Sequence, residues 1–151
     1  MKKHITITEI DHGWRRILSE IRTGGGFTEV GFFSDDAGYP GGVSVADVAQ
    51  CNEYGTARIP ERPFMRRAFD QNREGLDGKM QTLLDGVYVG THNLDRAMAI
   101  LGEFHRGHIV TSIRDLDSPP NAPSTIRRKG SSNPLIDTGQ MMQSVSHRED
   151  K

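Results

Sequence analysis

Asn52-Glu53-Tyr54-Gly55-Thr56-Ala57-Arg58-Ile59-Pro60-Glu61-Arg62-Pro63-Phe64 separates two stretches of helical periodicity and decides how the rest of the chain is arranged. Gly55 permits a positive φ that would strain other residues. Pro60 and Pro63 fix their own φ and push Ile59 and Arg62 toward extended geometry. The chain therefore leaves one helix, runs extended and stiff, and enters the next helix at Pro63, where a missing N–H costs nothing. Tyr54, Ile59 and Phe64 supply apolar anchors that a flexible linker would not need. The segment reads as a rigid, partly buried connection between helices.

Working outward, Ser44 caps a short helix over Val45 to about Glu53, with Val45, Val48 and Ala49 inward. Downstream lies the longest helical pattern, residues 64–88. Its expected stripe holds Met65, Phe69, Asn72, Leu76, Met80, Leu83, Leu84 and Val87, with Gly75 and Gly78 as possible breaks. Asn93 caps a second long helix to about residue 115. Leu94, Ala97, Met98, Leu101, Phe104, His108, Ile109 and Ile113 form its inner face. The short link between the two helices predicts an antiparallel pair. Before the opening stretch, residues 4–10 alternate as a half-buried strand does. Asp11 caps a helix over 12–22, and residues 27–33 read as an aromatic-rich strand. Residues 34–42 and 117–124 are loops. Arg127-Arg128-Lys129 leads a mobile basic tip, a short turn or helix follows over 135–143, a strand over 143–147, and a frayed tail over 146–151. The pattern is a single α+β domain: a small antiparallel sheet packed against two longer helices, with long loops.

Composition narrows the function. Hydrophobic residues make up 34% of the chain and glycines number 17 of 151, so the core is lean and a neighbouring subunit would supply missing burial. A net charge of −1 gives no global basic field for nucleic acid. Cys51 stands alone, so no intrachain disulfide forms. No apolar run approaches the roughly 20 residues of a membrane span. Met1-Lys2-Lys3-His4 lacks a following apolar core and is not a signal peptide.

The opening stretch also carries a resemblance. Asn52-Glu53-Tyr54-Gly55-Thr56, then Ile59-Pro60-Glu61-Arg62-Pro63-Phe64-Met65-Arg66, resembles a signature of tailed-bacteriophage tail-completion proteins, the small head–tail joining proteins of the virion neck. Asn133-Pro134-Leu135-Ile136-Asp137-Thr138-Gly139-Gln140-Met141, followed by Ser144-Val145-Ser146, looks like the ending of the same family. The glycine-rich loop at 34–42 is longer than the family's usual one. The resemblance implies an α+β subunit of a ring, hexamer favoured over dodecamer, assembled in the host cytoplasm into the virion. There it would sit between the head connector or stopper and the tail tube or terminator, with no turnover and no cofactor. Neighbouring neck components such as a terminator or connector are the alternative, and a prophage DNA-binding regulator or enzyme is a more distant one. The motif residues carried over are Asn52, Glu53, Tyr54, Gly55, Arg62, Pro63, Phe64, Pro134, Leu135, Asp137, Thr138 and Gly139. In this reading Glu53 or Asp137 bonds Arg62, while Phe64 and Leu135 anchor the two blocks in one core.

Candidate chemistry is thin. His105 and His108 lie three apart beside Glu103 but lack a third metal ligand. Gly24-Gly25-Gly26 follows a helix and precedes a strand, the reverse of a phosphate loop. Asp35, Asp36, Asp47 and Glu53 lack calcium-loop spacing. Ser44, Ser144 and Cys51 have no partner base. The stronger signal is charge sorting. From Thr23 to Ala57 there is no Lys or Arg, yet Glu29, Asp35, Asp36, Asp47 and Glu53 are present. Arg58, Arg62, Arg66 and Arg67 follow, opposed only by Glu61. Either these groups pair within one subunit, or Asp35, Asp36 and Asp47 of one copy meet Arg58, Arg66 and Arg67 of the next in a head-to-tail ring. Arg127, Arg128 and Lys129 would touch DNA phosphates in the channel, dock on a neighbouring ring, or simply remain solvated.

Overall fold

The computed structural model describes residues 13–22, 26–33 and 38–150. The strand expected over 4–10, its neighbour Asp11, and the interface candidates Asp35 and Asp36 lie outside these residues. Helix α1 (Trp14–Arg22) leads to strand β1 (Phe27–Gly31). Helix α2 (Val45–Tyr54) starts where the Ser44 side chain accepts the Ala46 N–H at 3.1 Å. Its Val45 and Ala49 are buried as their spacing predicts. Gly55, at φ 72°, stops it. A Cβ there would lie 2.9 Å from the Glu61 nitrogen, so both backbone angle and space require glycine.

Helix α3 (Phe64–Val89) runs unbroken through Gly75 and Gly78. Packing against a partner helix outweighs the propensity cost of these glycines. That partner is α4 (Leu94–Asp115), whose cap residue Asn93 accepts the Arg96 N–H at 3.0 Å. Phe64 and Ala68 share one buried cluster with Ile109 and Ile113, while Leu83 and Val87 share another with Ala97 and Leu101. Start meets end, so the helices form an antiparallel hairpin. The buried seam of α3 is narrower than the expected stripe. Phe64, Ala68, Leu76, Leu83 and Val87 are covered, whereas Phe69, Met80 and Leu84 are exposed. On α4, Phe104 is likewise exposed.

Strand β2 (Ser146–Asp150) corrects the expected frayed tail. It pairs antiparallel with β1 in a two-stranded sheet, from Phe27 opposite Asp150 to Gly31 opposite Ser146. The sheet lies across α4 at Gly102, where a Cβ would meet Thr28 Oγ1 at 2.6 Å and His147 Cδ2 at 2.7 Å. Backbone ladder bonds and this close seat hold a segment whose polar composition suggests fraying. Helix α5 (Pro123–Lys129) begins with proline in its first turn, and α6 (Gln140–Gln143) follows Gly139. Residues 127–129 therefore form the last turn of a helix instead of a mobile tip, their positive charges favourable beside its carbonyl end. The fold is α+β, with its main core bounded by α2, the open end of the hairpin, and the turn at 134–141.

Candidate functional site

The two sequence blocks meet around Arg62 and Glu53, whose side chains are both nearly out of solvent at 3% exposure. Pro63, the residue that precedes α3, has no side chain that could cap it. Glu53 does so from the end of α2. Its Oε2 accepts the Met65 N–H at 2.9 Å and its Oε1 accepts the Arg66 N–H at 3.1 Å. A carboxylate on these otherwise unpaired donors also complements the positive end of the helix. Arg66 closes over it, with Nε donating to Glu53 Oε1 at 3.0 Å and Nη2 to Glu61 Oε1 at 2.6 Å. These carboxylates raise the Arg66 pKa above the ordinary arginine value.

Arg62 does not bond Glu53 or Asp137, as the sequence led us to expect. Its Nε donates to the Pro119 carbonyl at 2.8 Å, Nη1 to Asn52 Oδ1 at 3.2 Å, and Nη2 to the Pro120 carbonyl at 3.2 Å and Asn121 Oδ1 at 3.1 Å. Among the described residues no carboxylate pairs with it. The extended path imposed by Pro60 and Pro63 aims the guanidinium at the loop over residues 119–121, away from α3. Burial lowers its pKa from the usual arginine value. The contact continues into the second block: Asn121 Nδ2 donates to the Pro134 carbonyl at 3.2 Å, and Lys129 Nζ donates to Asn133 O at 3.0 Å. Asn133 Oδ1 accepts the Leu135 and Ile136 N–H groups, each at 2.9 Å, and folds the turn. Beneath this network Phe64 and Leu135 occupy the same core cluster.

Other expected residues fall differently. Tyr54 is not a buried anchor; it is 64% exposed, with the Arg66 guanidinium 5.2 Å above its ring. Of the two alternatives for the sorted charges, pairing within one subunit holds for Arg66, which is engaged with Glu53 and Glu61, while Arg67 Nε bonds the neutral Gln71 Oε1 at 3.4 Å. Asp47 is exposed in the first turn of α2, and Arg58 is exposed in the connection. Thr138 Oγ1 accepts the Gln140 N–H at 3.3 Å, and Gly139 takes the left-handed conformation before α6. Asn121 and Asn133 were given no role from the sequence, although Asn133 opens the second block and Asn-Pro at 133–134 is a turn signal.

A groove of about 550 Å³ opens over the network. Ile59, Pro60, Leu135 and Met141 give it apolar surface, and Arg58, Arg62, Arg128 and Lys129 give it positive charge, with Asp137 the acid among its lining residues. Lys129 has its pKa lowered by burial and by Arg62 and Arg128, against the opposing pull of Asp137.

Elsewhere, His105 and His108 stack edge to face with each other at 6.0 Å, and with Phe69 and Phe104 respectively. Both Nδ1 atoms are buried without a hydrogen-bond partner. Among the described residues no group of His, Cys, Asp or Glu is suited to hold a metal ion, and no helix is long and apolar enough to cross a membrane. The geometry defines a small α+β domain in which two separate sequence blocks are tied by a buried arginine. Compared with protein-family models, curated proteins and solved structures, the chain matches none.

Proposed function

We propose that this chain is a structural protein of the tailed-phage neck, forming a ring that completes the tail and joins it to the filled head. The observation that carries the reading is the convergence of the two resembling blocks. Residues 52–66 and 133–141 are far apart in sequence, yet Arg62, Asn121 and the Pro134 carbonyl link them, and Phe64 and Leu135 share a core. Residues matched to one family signature thus act as one unit. Exposed Tyr54, Tyr88 and Val89 offer apolar area of the kind that subunit contacts cover. Head connector or stopper proteins on one side, and tail tube or terminator proteins on the other, are the partners in this reading, with genome DNA passing through the channel. The protein works in the virion, by fit and without turnover.

Native mass spectrometry across a salt series tests the ring. A closed oligomer, hexameric in preference to dodecameric, that loosens as salt rises is the expected result. In a phage carrying the gene, its deletion should leave filled heads and finished tails unjoined under the electron microscope. A strict monomer at low salt and high concentration, together with normal particles from the deletion, overturns the proposal.

A further inference from the structure

The groove beside Arg62 has a composition that the neck reading does not use. Its lining sets Arg58, Arg62, Arg128 and Lys129 against Asp137. Arg62 is nearly buried, its hydrogen bonds run to carbonyl and amide oxygens, and no described carboxylate balances its charge. A buried cation beside further cations favours an incoming anion. The shape narrows the anion. A slot of about 550 Å³ lies in the range of concave ligand sites. Ile59, Pro60, Leu135 and Met141 line it, and such apolar surface suits a side chain better than a string of phosphates. Pro60, Pro120 and Pro134 hold the walls in place, so little ordering is required on binding.

We infer that this groove binds an extended acidic segment of another protein, with carboxylates between Arg58, Arg128 and Lys129 and an apolar side chain against Ile59 and Leu135. Charge complementarity selects the occupant. Among the described residues most of the chain's own exposed acids, such as Glu29, Asp47, Asp70, Glu74 and Asp95, sit on a strand or on helices, whose regular surfaces do not thread into a slot; of those in irregular segments, Glu61 is bonded to Arg66, and Asp117 and Asp137 belong to the segments that build the groove itself. An unstructured acidic stretch of a different partner does thread in.

Arg58 and Arg128 are both exposed, so Arg58→Gln with Arg128→Gln tests the site without disturbing the core, and circular dichroism verifies the fold. The probe is a fluorescent Asp-Leu-Asp-Leu-Asp peptide, titrated with the full chain at low salt by anisotropy. Saturable binding that weakens roughly tenfold in the double variant, but is unchanged by Arg73→Gln on α3, supports the assignment. No saturation, or equal loss with Arg73→Gln, overturns it. So does tighter, variant-sensitive binding of a single-stranded oligonucleotide, which would make the groove a nucleic-acid site. Self-association abolished by Arg128→Gln alone also overturns it, by making a second copy the occupant. The result is separable from the ring: a monomer that binds the peptide refutes only the ring, and a ring that ignores the peptide refutes only this inference.

Discussion

Arg62 is a residue whose value lies in its shape more than in its charge. A planar fork reaches Asn52, Pro119, Pro120 and Asn121 together from one buried position. Lysine keeps the charge but has one nitrogen and cannot span those acceptors. Arg62→Lys is expected to destabilise the fold by about 2–3 kcal/mol, since it leaves buried acceptors unmatched, and urea denaturation monitored by far-ultraviolet circular dichroism reads this directly. An unchanged midpoint would mean the loop over 119–121 is held by something else. The importance of Arg62 was legible in the sequence, because Ile-Pro-Glu-Arg-Pro-Phe is too constrained for a linker. Its partners were not. A carboxylate is the usual expectation for a buried arginine, whereas here Glu53 is already used by the first turn of α3 and the acceptors come from proline carbonyls.

Among the secondary-structure elements, spacing, caps and turn residues located most of the helices, since Ser44 and Asn93 cap where expected and Gly55 ends α2. The width of each buried face was not legible. Hydrophobic periodicity marks every apolar residue near one side, but α3 is covered by α4 along a narrow seam, so Phe69 and Met80 remain outside it. Strand β2 was expected too early, over 143–147: Ser-His-Arg-Glu-Asp has no apolar alternation, and its place depends on pairing with a distant strand. Glycines in the hairpin separate propensity from packing. Gly75 faces open space and Gly102 faces Thr28 and His147 at contact distance. Gly75→Ala should therefore stabilise the protein by about 1 kcal/mol. Gly102→Ala, the same chemical change, should instead destabilise it by about 1–3 kcal/mol through overpacking. Thermal melts of both variants check the opposite signs, and stabilisation by both would show that the sheet yields freely at α4.

For the molecule as a whole, the histidine pair in the hairpin links stability to pH. Burial lowers the pKa of both His105 and His108, and the charge of His108 lowers that of His105 further. Unfolded histidines bind protons near pH 6.5, while the folded ones resist. The unfolded state then holds more protons, so stability is full above that pH and declines as pH falls through it, levelling once the folded rings also charge. Melting temperatures between pH 7.5 and 5.5 should fall, and the double change His105→Gln, His108→Gln should flatten the slope. A slope that survives the double change would assign the dependence to other groups. The sheet carries a consequence of another kind. Among the described residues Phe27–Gly31 finds its hydrogen-bonding partner in Ser146–Asp150, so in a chain emerging from the ribosome this pairing waits until residues 146–150 are translated. The helical hairpin, built from near neighbours, can form first and offer α4 as the bench on which the two strands are later clasped.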